Sequence, residues 1–274
     1  MAGVNQRVLP GFHLSLGYAV FYLSALVLVP LAACFLKAAS LSSDQFWAAV
    51  WTERTRAAYA LTFGASLAAA AINVILGLLV AWVLVRYEFP LKRLFDAFVD
   101  LPFALPTAVA GLVYCSLYAA DGWLGRFLVP LGIEGAYSRL GIVLVLTFTG
   151  FPFVVRTVQP VLESLDAEVE EAAALLGATR GQTFFRVILP PLLPAVLTGF
   201  ALAFARGLGE YGSVVFISGN KRFLTEIAPS LVVERLEEFA YSEATAVAVV
   251  LLVSSLVLLA LISLLERWSK RNVV

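Results

Sequence analysis

The sequence predicts an all-α integral membrane protein, and three observations carry that prediction. Of its 274 residues 61% are hydrophobic. Only 14% are charged, against about 25% in an ordinary soluble domain. The apolar residues also gather in long charge-free runs, and a bilayer core needs about 20 such residues per helix.

Six runs qualify or nearly so: Leu14–Leu36, Ala57–Val85, Leu101–Ala120, Leu140–Val155, Val187–Ala205 and Ala244–Leu265. The fourth is short and is expected to borrow its polar flanks. The fifth is expected to continue past Arg206 and Glu210 to about Ile217. An even number of spans puts both termini on one side. With the termini inside, the inner segments hold ten Lys and Arg residues and the outer ones eight. That bias weakly favours cytoplasmic termini.

Composition also excludes. Nineteen basic and nineteen acidic residues cancel, so nothing points to nucleic acid. Cys34 and Cys115 sit in apolar runs and read as buried thiols, and the single histidine, His13, has no clustered ligands. No metal site is expected. The chain has no Gly-x-x-x-x-Gly-Lys-Ser/Thr loop for ATP. "LAAC" at Leu31–Cys34 imitates a lipoprotein box but follows an apolar run too long for a signal peptide. "GLGEYG", Gly207–Gly212, imitates a dinucleotide fingerprint without the strand that motif requires. No nucleophile–base or zinc constellation lies in the spans, which argues against an intramembrane enzyme.

One polar insert interrupts the oily pattern: "EVEEAAALLGATRGQTFFRVILPPLLPA", residues 168–195. It reads as helix, glycine turn, helix. Ser164 is expected to cap the first helix, whose opening turns carry Asp166, Glu168, Glu170 and Glu171 at the positive helix start. Val169, Ala172, Ala173 and Leu176 give that helix an apolar face. Gly177 falls where a left-handed cap ends a helix. Thr179 and Gln182 form a Thr-x-x-Gln capping box for the next one. Pro190-Pro191 is expected to end or bend that helix before the fifth span. An acidic helix suits a protein partner better than the anionic inner leaflet.

Within this insert, Glu171, Ala172, Ala173, Gly177, Leu189 and Pro190 fit the Glu-Ala-Ala-x₃-Gly-x₉-Ile-x-Leu-Pro pattern, with Val187 in place of the isoleucine. The pattern resembles that of permease subunits of ATP-binding-cassette importers. Further stretches are similar to sulfate/thiosulfate permeases: "RVLPGFHLSLGY" (7–18), "DLPFALPTAVAGL" (100–112), "PFVVRTVQPVLE" (152–163) and "GLGEYGSVVFISGN" (207–220). The resemblance implies a single permease domain over 1–274 with a six-helix type I importer core. It implies a coupling loop at about 159–190 that docks on a separate cytoplasmic ATPase. ATP and magnesium would then sit on two copies of that ATPase, with no cofactor in this chain. A sister permease would complete a heterodimer, and a periplasmic sulfate-binding protein would deliver substrate. The location implied is the cytoplasmic (inner) membrane. Molybdate or tungstate transport by the same architecture is the nearest alternative. A stand-alone secondary transporter is more distant, because no two-half repeat is visible.

A path for a dianion needs small or polar lining. Thr107, Gly111 and Ser116 on the third span, with Gly207, Gly209, Gly212 and Ser213 on the fifth, supply candidates. Small residues equally serve close helix packing. Arg206 and Glu210 are the only charges deep in a span, at a spacing of i,i+4 that lets them pair. They are expected to form either a structural salt bridge or a gate in which Glu210 keeps Arg206 from trapping the anion. The amphipathic segment "KRFLTEIAPSLVVERLEEFAYSE" (221–243) is expected to seal the outer end of the bundle or to receive the binding protein.

Overall fold

The computed structural model describes residues 11–272, and of His13, Ala167 and residues 266–272 the backbone alone. The start of the 7–18 stretch and the basic side chains after Leu265 lie outside the described residues. Among the described residues every regular element is helical. Five helices are long and apolar enough to cross a membrane: α1 (Leu14–Ala38), α3 (Glu53–Arg86), α6 (Arg139–Ser164), α8 (Arg180–Leu208) and α11 (Tyr241–Asn272). Shorter elements join them: α2 (Ser43–Val50), α4 (Lys92–Val99), α5 (Thr107–Tyr118), α7 (Ala167–Leu175), α9 (Val214–Ser218) and α10 (Ala228–Glu237).

The core is the mutual packing of α3, α6 and α8. Ala70 and Ala81 of α3 meet Val154, Val155 and Val158 of α6 and Leu192, Val196 and Ala203 of α8. Lipid tails are as apolar as these side chains, so close van der Waals contact between small residues must hold the helices together. α6 runs straight through Pro152 and Pro160, as membrane helices tolerate when neighbours cover the freed carbonyls. By contrast, none of the most apolar stretch of α1 is buried. Only its second half lies against α11.

Four expectations need correction. The third run is not one helix: Leu101–Ala104 forms a single turn, Pro106 interrupts, and α5 covers only twelve residues. The backbone N–H missing at Pro106 and the extended bias of the residue before it force that break. The fourth run does borrow its polar flanks as expected, reaching Ser164. Ser164 therefore closes α6, its Oγ donating to the Val161 carbonyl at 2.7 Å, and does not cap the next helix. At that cap stands Asp166, with no side-chain hydrogen bond. Pro190-Pro191 does not stop the helix before it. The chain widens into a π turn over Phe184–Ile188 and continues unbroken into the membrane segment, because a wider turn accommodates residues that cannot donate.

The fifth run also ends early. α8 stops at Leu208, Gly209–Ser213 is irregular, and only the short α9 follows before Gly219. Two glycines within four residues, Gly209 and Gly212, weaken the helix there.

Candidate functional site

The polar insert forms a compact helix–turn–helix at one end of the bundle. α7 closes with Gly177 at φ +82°. The Gly177 N–H donates to the Ala174 carbonyl at 2.9 Å and the Ala178 N–H to Ala173 at 3.0 Å. This paired pattern satisfies the last carbonyls of a helix and requires a left-handed residue. The next helix starts two residues on. The Gln182 N–H donates to Thr179 Oγ1 at 3.3 Å, and the Thr179 N–H to Gln182 Oε1 at 2.8 Å. Both ends of the turn are thus fixed by short-range hydrogen bonds, so the angle between α7 and α8 is set locally.

One side chain ties this element to the core. Arg86, the last residue of α3, pairs with Glu170 at 2.8 Å, donates to the Leu165 carbonyl at 3.1 Å and lies over the Trp82 ring. Nearby, Arg156 of α6 bridges Asp96 and Asp100 at 2.6 and 2.8 Å. Among the described residues the outward side of α7 has no such partners. Glu171 and Ala172 are exposed, Ala173 is half-buried, and Leu175 and Leu176 are each 89% exposed. The apolar face expected from Val169, Ala172, Ala173 and Leu176 is therefore not spent on this chain's own core. Leu189 and Pro190 stand apart from Glu171–Gly177, half-buried where α8 leaves its π turn. The motif thus divides between a protruding tip and the root that carries it.

The second cluster surrounds the break after α8. Arg206 pairs with Glu210. Glu210 is 2% exposed although charged, and its other oxygen accepts from the Ser213 N–H at 2.9 Å and Ser213 Oγ at 2.8 Å. The carboxylate thereby bridges the end of α8 and the start of α9. Ser213 and Gly212 meet α5: a Cβ on Gly111 would strike the Ser213 carbonyl, and one on Gly212 would strike Thr107 Oγ1. Thr107, Gly111, Gly212 and Ser213 thus lie at one tight α5–α9 contact. Gly207 packs on Ser66 of α3. Gly209 is different, exposed and with open space where a side chain would be, and Ser116 is exposed on α5.

At the opposite end, sequence reasoning missed a dense charge network. Arg54 binds Glu226 through two hydrogen bonds, 2.8 and 2.5 Å long, and also pairs with Glu234. Glu234 in turn accepts from Arg222 at 3.0 Å. Arg235 pairs with Glu243, and Arg139 donates to the Leu224 carbonyl at 2.9 Å. These partners lie 172 and 180 residues apart in the case of Arg54, so no local pattern could announce them. The segment 221–243 forms α10 and packs on α11 and α3. Among the described residues no cluster of His, Cys, Asp and Glu could hold a metal ion.

The described residues thus form a bundle of apolar helices with one capped, outward-facing helix–turn–helix. Residues 73–274 match the family described as "Binding-protein-dependent transport system inner membrane component", and the chain belongs to that family. It is 53% identical to the sulfate transport system permease protein CysT of Synechocystis sp., over 92% of this chain and 88% of the relative. With the CysT proteins of Salmonella typhimurium and Escherichia coli it shares 48% and 47%, over 100% and 98% of this chain and 99% and 98% of theirs. A bacterial alginate ABC transporter in complex with its pentasaccharide-bound periplasmic protein aligns at a TM-score of 0.75 with 18% identity, over 93% of both chains. The MetNI methionine ABC transporter aligns at 0.54 with 18% identity, over 85% of this chain and 100% of that one. These two establish the fold. The protein is accordingly a multi-pass inner-membrane permease of a binding-protein-dependent transport system, a translocating component and not an enzyme. By the family's description it is the inner-membrane component of a transport system that depends on a binding protein.

Proposed function

We propose that this chain carries sulfate, and thiosulfate with it, into the cell as one of two sister permeases joined to two ATPase copies and a periplasmic sulfate-binding protein. The observation that carries the substrate is the 47–53% identity to named sulfate permeases over at least nine-tenths of the chain. It favours sulfate over molybdate or tungstate. In this reading α5 completes a sixth crossing and both termini are cytoplasmic. α7 and the start of α8 are the coupling helices, supported by the two leucines left bare at the capped turn. Glu171, Ala172, Ala173 and Gly177 meet the ATPase, while Leu189 and Pro190 transmit its movement into α8. ATP and magnesium are held by the ATPase. Arg206 and Gly209 border the path at the face shared with the sister permease, backed by Thr107, Gly111, Glu210 and Ser213 packed behind them.

The mechanism follows from charge. A dianion cannot enter hydrocarbon, so passage needs a polar route opened to one side at a time. The ATPase closes, the stiff α7–turn–α8 unit moves with it, and the core helices α3, α6 and α8 shift as one packed body. Reconstitution of the complex with and without this chain tests the reading. Uptake of labelled sulfate should require the chain and resist excess molybdate. Uptake that molybdate abolishes at equal concentration would assign the other oxyanion.

A further inference from the structure

We propose that Arg206 is the transit contact for the translocated oxyanion inside the membrane, and that Glu210 is a fixed counter-charge that keeps this contact short-lived. The inference rests on the sulfate reading. Depth comes first. Gly207 packs on Ser66, thirteen residues into α3 from Glu53, or about 20 Å at 1.5 Å per residue. Arg206 therefore sits well inside the bilayer, where a charge is retained only with a partner or a polar path.

The pairing is lopsided. Glu210 is almost fully buried and held by three donors, from Arg206, the Ser213 N–H and Ser213 Oγ. Arg206 is 34% exposed and meets that carboxylate most closely through Nη1. Among the described residues no other group accepts from its Nε or Nη2. The guanidinium thus keeps a free edge, and such an edge matches an oxyanion with two parallel hydrogen bonds. Leu202, Arg206 and Gly209 fall at i, i+4 and i+7 on the exposed side of α8. Gly209 offers no side chain to cover the approach. A purely structural ion pair would bury both partners alike. This arrangement buries the acid and presents the base.

Glu210 also explains how release remains fast. Conduction needs binding strong enough to admit an ion and weak enough to let it go. A lone arginine in low dielectric would hold a dianion too firmly. A carboxylate fixed at i+4 repels the anion while leaving the fork in place. Because Ser213 locks Glu210, the carboxylate cannot swing away to let the anion settle.

The test uses the full complex in proteoliposomes and reads sulfate delivered per ATP hydrolysed. Arg206→Gln should lower that ratio about tenfold or more, as expected for loss of a charged hydrogen bond. Arg206→Lys, which keeps charge but loses the fork, should fall between. Glu210→Gln should slow turnover while increasing the labelled sulfate retained on the complex after rapid filtration. Should either single variant assemble poorly, Arg206→Gln/Glu210→Gln removes both charges together. It should assemble and still show the low ratio. A wild-type ratio in that double variant, or unchanged sulfate retention in Glu210→Gln, would overturn the proposal. Failure of the wild-type complex to import sulfate would instead sink the substrate reading beneath it.

Discussion

Where α10 meets the start of α3, the charges are settled within the chain: Glu226, with 1% of its side chain exposed, grips Arg54, and Glu234 answers both Arg54 and Arg222. Where α7 meets the start of α8, one arginine, Arg86, anchors an element whose tip carries two bare leucines. Both ends are polar and helical, yet only the first has its interactions completed by its own residues. A substitution at the first should therefore show in stability, and one at the second in assembly. Long-range ion pairs cost desolvation and return it only when every partner is present. The capped turn instead holds its shape by short-range hydrogen bonds and leaves Leu175 and Leu176 exposed.

The largest expected effect is on the open end. Gly177→Val puts a β-branched residue at φ +82°, a conformation forbidden to it by sterics. No neighbour lies within 4 Å of the added Cβ, so crowding plays no part and only the backbone angle is disturbed. Membrane insertion should remain normal while the ATPase co-purifies about tenfold less, the factor that each 1.4 kcal/mol of lost contact energy brings. Glu171→Lys should give a milder loss without changing the backbone. Normal ATPase retention and uptake in Gly177→Val would show that this loop is not the coupling element.

The closed end should answer differently. Glu226→Gln leaves Arg54 with Glu234 alone and should lower unfolding stability by about 3 kcal/mol, the scale for breaking a buried pair. ATPase retention at temperatures where the protein stays folded should be unchanged. Thermal unfolding of the purified chain, read beside co-purification, separates the two. A large assembly defect without a stability loss would erase the contrast between the ends.

The smallest effect is a pH dependence at Glu234. Burial pushes this carboxyl up, but hydrogen bonding and charge from Arg54, with a further hydrogen bond from Arg222, outweigh it and hold it below the usual carboxylate range. A carboxyl depressed on folding stabilises fully above its unfolded pKa, and that contribution is lost as pH falls through the folded one. Acidification below about pH 4 should therefore lower the unfolding midpoint. Glu234→Gln should flatten that slope, and an unaltered slope would remove Glu234 from the network.

Much of the fold was legible because membrane burial writes itself into composition. The capped turn was legible too, since Gly177, Thr179 and Gln182 act within a few residues of one another. What escaped depends on packing or on distance along the chain. The end of α8 at Leu208 falls short of the expected Ile217, and Gly209 and Gly212 on either side of Glu210 were the available signal. Pro190-Pro191 suggested an end or a bend, and the continuation seen instead depends on whether the backbone can widen into a π turn, which neighbours decide. Arg206 and Glu210 were visible as a spacing, but their unequal burial depends on Ser213 and α5. Arg54 and Glu226 had no signal at all beyond being charged.

The bare first half of α1 has a consequence for how the protein senses its membrane. Twenty-five residues in that helix make about 38 Å at 1.5 Å per residue, longer than a hydrocarbon core of about 30 Å. Such an excess is absorbed by tilting, by local thickening of the lipid or by flanking groups reaching for water. The helices α3, α6 and α8 are locked to one another and must accept the bilayer as a unit. Among the described residues the opening half of α1 is exposed, so it is less constrained than the core helices and can tilt more readily. A thinner or thicker membrane is therefore felt first by this single helix, while the three-helix core keeps its register.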